Sequence, residues 1–167
     1  MNININIEYS DRVISSVLNK TKTIAMIGLS SSWNRPSYFV AKYLIDRGYK
    51  IYPVNPKESG KKILGQRVYS NITAIKDKID MVDVFRKSSD IDNIIEDILA
   101  CNPKFIWLQI GVINNKLAKI ANNKNIPIIM NKCPKIEYSR LSGELGWGGI
   151  NSGNIVNKRR IIKPVVN

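Results

Sequence analysis

Short apolar runs alternate with amphipathic stretches along this chain. The apolar runs predict strands buried on both faces, at residues 23–27, 49–54, 80–85, 104–109 and 126–130. The amphipathic stretches carry apolar residues at helical spacing and predict helices, at residues 10–20, 37–47, 89–101 and 114–123. A less regular segment around Val68, with a turn of helix at residues 72–75, separates the second strand from the third. Repeated strand–helix units of this kind predict an α/β fold.

The repeated units also predict how the elements are arranged. Strand–helix–strand crossovers place successive strands in parallel, so we expect a Rossmann-like, doubly wound parallel sheet of about five strands with helices on both faces. A chain of 167 residues with 44% hydrophobic content fits one such domain. We assign residues 1–142 to this domain, and residues 143–167, rich in glycine and basic side chains, to an irregular extension of it.

Composition narrows the chemistry. The chain has no histidine, which removes the commonest general base, serine–histidine triads and the usual zinc sites. Its formal charge of +13 suits nucleic acid, an anionic membrane surface or a polyanionic small ligand, and biased composition can produce such a charge without any function. Lys158, Arg159 and Arg160 form its compact basic run. No apolar run approaches the ~20 residues of a membrane span, and the polar start lacks the features of a secretory signal, so we expect a cytoplasmic protein with no membrane contact.

The residues that follow each predicted strand are the candidate site, because open parallel sheets bind ligands outside the carboxyl ends of their strands. They are mostly small, polar or basic and occupy positions 28–32, 53–56, 85–86, 109–111 and 131–135. Gly28 lets the backbone approach an anion, and the hydroxyls and amides of Ser30 and Ser31 can donate to phosphate oxygens. An ordinary strand-to-helix turn would carry the same glycine.

Two features disfavour a nicotinamide cofactor. Serines follow Gly28 where the dinucleotide fingerprint has its second and third glycines. The second strand ends in Val54, Asn55 and Pro56, where NAD-binding domains place an acidic residue for the ribose hydroxyls. These residues therefore leave open another phosphate-bearing ligand and an ordinary strand-to-helix turn.

Several side chains at this edge have both a ligand-binding and a structural interpretation. Arg35, at the start of the second helix, is suited either to clamp a phosphate or to lie in solvent. Arg86 directly follows the third predicted strand and is favoured as a ligand contact. Gln109 and Gly111 either line a pocket or form the turn after the fourth strand, whereas Trp107 within that strand is expected in the core.

The two cysteines lie in different contexts. Cys101 closes a helical pattern and Cys133 precedes Pro134 in a loop, so we do not expect a disulfide between them. Cys133 is the candidate nucleophile, with Lys132 and Lys135 nearby to favour the thiolate, and an inert buried thiol is the alternative. If the ligand is itself a thiol, a mixed disulfide with Cys133 becomes a testable hypothesis.

Taken together, these loops resemble those of small bacterial and archaeal CoA-binding proteins related to the CoA-binding domain of succinyl-CoA synthetase α-subunits. The resemblance spans nearly the whole chain and rests on ordered motifs at residues 27–30, 35–38, 53–56, 82–86, 107–111, 132–137 and 143–151. It implies that CoA is the cofactor and that the first turn and the Asn55–Pro56 loop hold its nucleotide end. The site residues that follow are Gly28, Leu29, Ser30, Ser31, Arg35, Pro53, Asn55, Pro56, Phe85, Arg86, Gln109, Gly111 and Cys133.

Three functions stay open from the sequence. The leading interpretation is a non-catalytic module that binds CoA or an acyl-CoA as a carrier, sensor or regulator, because the synthetases use a phosphorylated histidine and this chain has none. The second is an enzyme that acts on an acyl-CoA through Cys133 or Lys135. The third is a nucleic-acid-binding protein that uses the positive charge. Nucleic acid is the less favoured partner, and a homodimer or a complex with another protein stays open.

Overall fold

A five-stranded parallel sheet forms the centre of the computed structural model, which describes residues 8–144. The strands, in chain order, are β1 (Thr23–Ile27), β2 (Lys50–Val54), β3 (Lys62–Ile63), β4 (Gln66–Arg67), β5 (Met81–Val84), β6 (Phe105–Leu108) and β7 (Ile128–Ile129). The sheet has the order β2-β1-β5-β6-β7, and β3 pairs with β4 in a separate antiparallel hairpin. The predicted α/β fold with a parallel sheet of five strands is confirmed.

Helices cover both faces of the sheet, as the pattern predicted. They are α1 (Asp11–Lys20), α2 (Pro36–Asp46), α3 (Ser88–Ile91), α4 (Ile95–Ala100), α5 (Asn115–Asn123) and α6 (Pro134–Leu141). Side chains of α1, α2 and α6 form one core with the sheet, including Leu18, Leu44 and Tyr138. Side chains of α3, α4 and α5 form the second core on the opposite face, which includes Ile98 and Leu117. Strands buried between two such layers are apolar on both faces, which explains the continuous apolar runs in the sequence.

The switch point of the sheet lies between β1 and β5. From β1 the chain adds β2 on one side and then crosses back to add β5, β6 and β7 on the other. The backbone N–H of Gly28 donates to Val54 O at 2.8 Å, and that of Phe85 donates to Ile27 O at 2.8 Å. The ends of β2, β1 and β5 are therefore held together where ligands of doubly wound sheets bind.

Four elements differ from the prediction. The helix expected at residues 89–101 is divided into α3 and α4 by a 3₁₀ turn at Asp92–Ile94, where aspartate, asparagine and a β-branched residue are weak helix formers. Helix α6 and the β3–β4 hairpin were not predicted. The strand expected at residues 126–130 is shortened, and the backbone N–H of Met130 donates to Tyr9 Oη at 2.9 Å.

The predicted extension falls almost entirely outside the described residues. Residues 145–167 include the basic run Lys158–Arg160 and lie beyond that range. At its boundary, Glu144 accepts hydrogen bonds from Tyr43 Oη at 2.7 Å and from Arg47 Nε at 2.8 Å. Within residues 8–144, each helix is too short or too polar to cross a membrane.

Candidate functional site at the carboxyl edge of the sheet

Three adjoining cavities open at the carboxyl edge of the sheet. The turn cavity, of about 340 Å³, is lined by Gly28, Ser30, Arg35, Pro36, Ser37 and Phe85. The apolar cavity, of about 670 Å³, is lined by Pro36, Val40, Phe85, Arg86, Lys87, Ser88, Gln109, Ile110, Gly111, Val112, Cys133 and Ile136. The acidic cavity, of about 400 Å³, is lined by Ile27, Val54, Pro56, Ser70, Asn71, Ile72, Arg86, Asp90, Asn93, Ile94 and Asp97. Shared lining residues join the apolar cavity to each of the other two.

Gly28 forms the floor of the turn cavity in a conformation that needs glycine. Its φ is +89°, in the left-handed region. A Cβ at this position would lie 2.5 Å from Phe85 O, which is a backbone atom and cannot swing away. The position therefore excludes any side chain, and the backbone of the turn is open to close approach by a ligand.

The N-terminus of α2 opens into the same cavity and has no capping side chain. Arg35 occupies the N-cap position without a side-chain hydrogen bond to the helix, Pro36 follows, and the first turn has no acidic residue. By contrast, α1 and α5 are capped by Ser10 and Asn114. Free backbone N–H groups at a helix N-terminus attract anions. The exposed Arg35 adds a positive charge that no described residue pairs.

Asn55 holds the first turn through hydrogen bonds of its side chain. Its Nδ2 donates to Leu29 O at 3.0 Å, and its Oδ1 accepts from the N–H of Lys57 at 3.1 Å. The backbone N–H of Ser31 is engaged as well, donating to Glu58 Oε1 at 3.1 Å, and the hydrogen bonds from Ser31 help to lower the pKa of Glu58. These contacts fix the shape of the turn.

Four of the predicted site residues lie outside the three cavities. The side chain of Leu29 is in the core between the sheet and α2, and Pro53 is buried within β2. Ser31 and Asn55 hold the turn through the contacts above. The other predicted residues line the cavities, namely Gly28, Ser30, Arg35, Pro56, Phe85, Arg86, Gln109, Gly111 and Cys133.

Cys133 lies in the wall of the apolar cavity as a buried thiol. Burial raises its pKa, the N–H groups of Ile136 and Lys135 lower it, and the nearby Asp83 carboxylate raises it. The charge of Lys135 opposes the shift without reversing it, and the Lys135 amine lies 5.4 Å from the centroid of the Tyr43 ring. Lys135 thus favours the thiolate as expected, but burial outweighs it, and the result agrees with the alternative of an inert buried thiol.

Cys101 lies in a different environment from Cys133. It is half-buried and packs against the core on the opposite face of the sheet. Both cysteines are free thiols. Burial raises the pKa of Cys101 to about 11, so neither thiol is activated.

Asp83 also lies near this edge. It belongs to the motif at residues 82–86, but we predicted no role for it from the sequence. It lies in β5 between Met26 of β1 and Trp107 of β6, and it is fully buried. Its Oδ1 accepts a hydrogen bond from Gln109 Nε2 at 2.7 Å. Burial raises the pKa of Asp83 to about 7, against the opposing effect of its hydrogen bonds. An acidic residue in the middle of an apolar strand was the available signal.

Pro56 and Arg86 of the acidic cavity were among the predicted site residues, but its other polar side chains were missed because they come from segments far apart in the sequence. Asn71 and Asp97 meet there through a hydrogen bond of 2.9 Å from Nδ2 to Oδ2. Both belong to irregular or broken elements, the 3₁₀ turn Ile72–Ala74 with Asn71 as its cap, and helix α4. No single motif indicated this cavity.

A doubly wound sheet with a glycine turn and a helix N-terminus at its switch point defines the nucleotide-binding class of α/β domains. Comparison with known proteins identifies the family within that class. The CoA binding domain matches residues 22–139, and the chain belongs to this family. The suspected resemblance to small CoA-binding proteins is thereby confirmed, and membership supports CoA binding in general.

The relatives include both small proteins and parts of large ones. The uncharacterized protein YneT of Bacillus subtilis is 33% identical over 126 residues, which cover 75% of this chain and 92% of YneT. An ADP-forming acetate–CoA ligase of Methanocaldococcus jannaschii is 26% identical over 87% of this chain but only 23% of the ligase. A hypothetical protein from Pyrococcus horikoshii has a solved structure with 34% identity, a TM-score of 0.75, and coverage of 81% of this chain and 94% of its own.

Proposed function

We propose that the chain binds one molecule of CoA, without covalent chemistry, along the carboxyl edge of the sheet. The observation that carries this proposal is the chain of three adjoining cavities with different linings. CoA likewise joins a phosphorylated nucleotide to a long, mostly apolar pantetheine arm. Ile27 of the acidic cavity directly precedes Gly28 of the turn cavity, so the adenosine and the pyrophosphate of one CoA can lie side by side. Pro36 and Phe85 line both the turn cavity and the apolar cavity, so the pantetheine arm can continue from the pyrophosphate into the apolar cavity.

The turn cavity suits the pyrophosphate. Gly28 lets the phosphates approach the backbone, and the uncapped N-terminus of α2 supplies the Ser37 N–H and the positive end of a helix dipole. Pro36 has no N–H, and the N–H of Tyr38 already donates to Arg35 O at 3.0 Å. The guanidinium of Arg35 is placed to add a charge-assisted hydrogen bond. The hydroxyl of Ser37 accepts from the Ser30 N–H at 3.2 Å and keeps the turn against the helix.

The acidic cavity suits the adenine ring. Apolar side chains can hold the faces of a flat heterocycle, and they include Val54, Ile72 and Ile94. Carboxylates of Asp90 and Asp97 at the rim are acceptors for an exocyclic amine, which adenine has. Arg86 lies between this cavity and the apolar one, where a ribose phosphate would meet it, and it forms no ion pair within residues 8–144.

The apolar cavity suits the pantetheine arm. Its walls are mostly apolar, and Gln109 and Cys133 bring polar atoms to the side nearest the sheet. The raised pKa of Cys133 supports binding rather than thiol chemistry, because the neutral thiol is a poor nucleophile. The Lys135 amine packs over the ring of Tyr43 instead of lining the cavity, which gives no support to an amine nucleophile.

Calorimetric titration with CoA tests the proposal. We expect saturable binding of one CoA per chain and a loss of about tenfold or more in affinity for Arg86→Ala, as removal of a charged phosphate contact requires. Arg12→Ala is the matched control, since Arg12 is exposed on α1 and lines none of the three cavities. Wild-type protein that shows no binding, or equal affinity in both variants, would contradict the assignment.

A further inference from the structure

The buried carboxyl of Asp83 is incompletely satisfied. Its Oδ1 accepts from Gln109 Nε2, whereas Oδ2 is buried and has no hydrogen-bond partner among the described residues. Its neighbours across the sheet, Met26 and Trp107, offer no counter-ion. Leaving a buried carboxyl oxygen unpaired costs free energy of folding, and such groups in native proteins call for a functional explanation.

The contact with Gln109 decides which end of that amide faces the cavity. The Nε2 group points at Asp83, and the opposite atom, Oε1, receives no hydrogen bond from residues 8–144. Gln109 is itself among the lining residues of the apolar cavity. Reversing the amide would set Oε1 against the carboxylate oxygen, and two acceptors at 2.7 Å repel. The carboxylate therefore holds the Gln109 oxygen available to the cavity.

We propose that Asp83 is a positioning residue that fixes Gln109 with its Oε1 toward the apolar cavity, where it accepts a hydrogen bond from an N–H of the pantetheine arm. This inference rests on the proposed binding of CoA. The arm carries amide N–H groups, which need an acceptor when they leave water, and the apolar cavity has mostly carbon walls. Asp83 acts through Gln109 and does not touch the ligand.

The test compares CoA with an analogue in which the amide nitrogen nearest the thiol is replaced by an ester oxygen. Burial raises the pKa of Asp83 to about 7. The titrations are therefore done at pH 8, above this pKa, where the carboxylate is mostly ionised. We expect wild-type protein to bind CoA about tenfold more tightly than the ester, the value of one hydrogen bond in a binding site. In Asp83→Asn, whose amide no longer dictates the orientation of Gln109, the preference should fall to about threefold or less.

Two further variants separate positioning from a structural role. Gln109→Leu should abolish the preference, and adding Asp83→Asn to it should have no further effect on the ratio, since both act through one contact. Asp80→Asn, the same change at the buried aspartate directly before β5, should keep the full preference.

The outcomes distinguish this inference from the proposal on which it rests. Wild-type protein that fails to bind CoA overturns the proposed function itself. Wild-type protein that binds CoA and the ester equally, or Asp83→Asn that keeps the tenfold preference, overturns the positioning role alone. A loss of affinity for both ligands by the same factor in Asp83→Asn would also overturn it, because a purely structural change does not alter the ratio.

Discussion

Two buried aspartates three positions apart, Asp80 directly before β5 and Asp83 within it, differ in how well they are satisfied. At the amino edge of the sheet, Asp80 Oδ2 accepts from the N–H groups of Lys22 and Thr23 at 2.9 and 3.2 Å, and Oδ1 pairs with Lys104 Nζ at 2.8 Å. Burial pushes the pKa of Asp80 upward, but these contacts outweigh it and hold the pKa below its ordinary value. This carboxylate stabilises the fold.

At the carboxyl edge, Asp83 has one side-chain donor and an orphan oxygen, and burial raises its pKa. The same edge carries an uncapped helix N-terminus and two arginines, Arg35 and Arg86, without an ion pair among residues 8–144. The Asp80 carboxylate is thus satisfied by the protein, whereas Asp83 Oδ2 and these two charges at the carboxyl edge have no partner within the described residues. Changes at the two edges should therefore affect different measurements.

The largest expected effect is on ligand affinity at the glycine turn. In Gly28→Val, a Cβ would lie 2.5 Å from Phe85 O at a φ of +89°, so the turn must shift and close the phosphate site. We expect CoA affinity to fall at least about 100-fold in calorimetry. Gly65→Val is the control, because its φ of +76° imposes similar strain but nothing lies within 4 Å of the added Cβ.

Because the clash in Gly28→Val also strains the fold, a second variant tests the phosphate site without that clash. Ser30→Asp adds a carboxylate to the turn cavity without a backbone clash at Gly28. It should repel the phosphates and weaken CoA binding while the thermal transition stays near that of wild type. Unchanged affinity in Ser30→Asp would contradict the assigned phosphate site.

The next largest effect is the pH dependence of stability that Asp83 produces. Its pKa is about 7 in the folded chain and about 3.9 when unfolded. The folded state therefore binds the extra proton between these values, and stability falls as pH rises through this window. Relative to Asp83→Asn, wild type should lose about 2–3 kcal/mol between pH 5 and pH 8 in urea unfolding. If the free energy of unfolding depends on pH in the same way in both proteins, the carboxyl of Asp83 does not have the raised pKa of a buried, unpaired group.

Asp80→Asn should change the free energy of unfolding by a similar or smaller amount and leave CoA affinity unchanged. It removes the charge that Lys22, Thr23 and Lys104 satisfy, at a cost of about 1–3 kcal/mol at pH 7. Asp77→Asn breaks an exposed pair with Lys50 and should cost much less. A clear loss of CoA binding in Asp80→Asn would contradict the claim that Asp80 stabilises the fold without affecting the ligand site.

The smallest expected effect is on thiol reactivity. CoA should slow alkylation of Cys133 about tenfold at saturation, because Cys133 lines the apolar cavity. Cys101, on the opposite face of the sheet, should react at the same rate with and without CoA. Peptide mass spectrometry after timed alkylation measures both rates in one sample. Equal protection of the two cysteines would indicate a global change in stability instead of a local site.

Unalkylated protein incubated with CoA tests the mixed disulfide that the sequence suggested. Intact mass without reductant should show no CoA adduct at Cys133, because burial keeps its thiol neutral. An adduct that reductant removes would show that the thiol is reactive despite its burial.

The sequence was sufficient for the parts of the molecule that repeat a simple pattern. The apolar runs identified the five strands of the sheet, and the turn at Gly28 was correctly expected at the carboxyl end of the first one. Helix α6 was missed because its apolar positions follow no strong helical period, although Pro134 at its first position was a usable signal. Local pattern identifies an element only when one of its faces is clearly apolar.

The direction of side chains in the site could not be predicted in the same way. Leu29 and Asn55 belong to the motifs that follow the strands, yet one packs into the core and the other braces the turn. Which way a loop residue points depends on contacts with distant segments, and these are set by the tertiary fold. The same limit concealed Asp97, whose partner Asn71 lies 26 positions away.

Native mass spectrometry of freshly purified protein, followed by addition of CoA, shows directly whether CoA binds at the carboxyl edge of the sheet. We expect a complex of one CoA per chain that survives gentle ionisation, is lost in Ser30→Asp and is retained in Asp80→Asn. Protein that carries no CoA and takes up none on addition, or that binds equally well in both variants, would contradict a CoA site at the carboxyl edge.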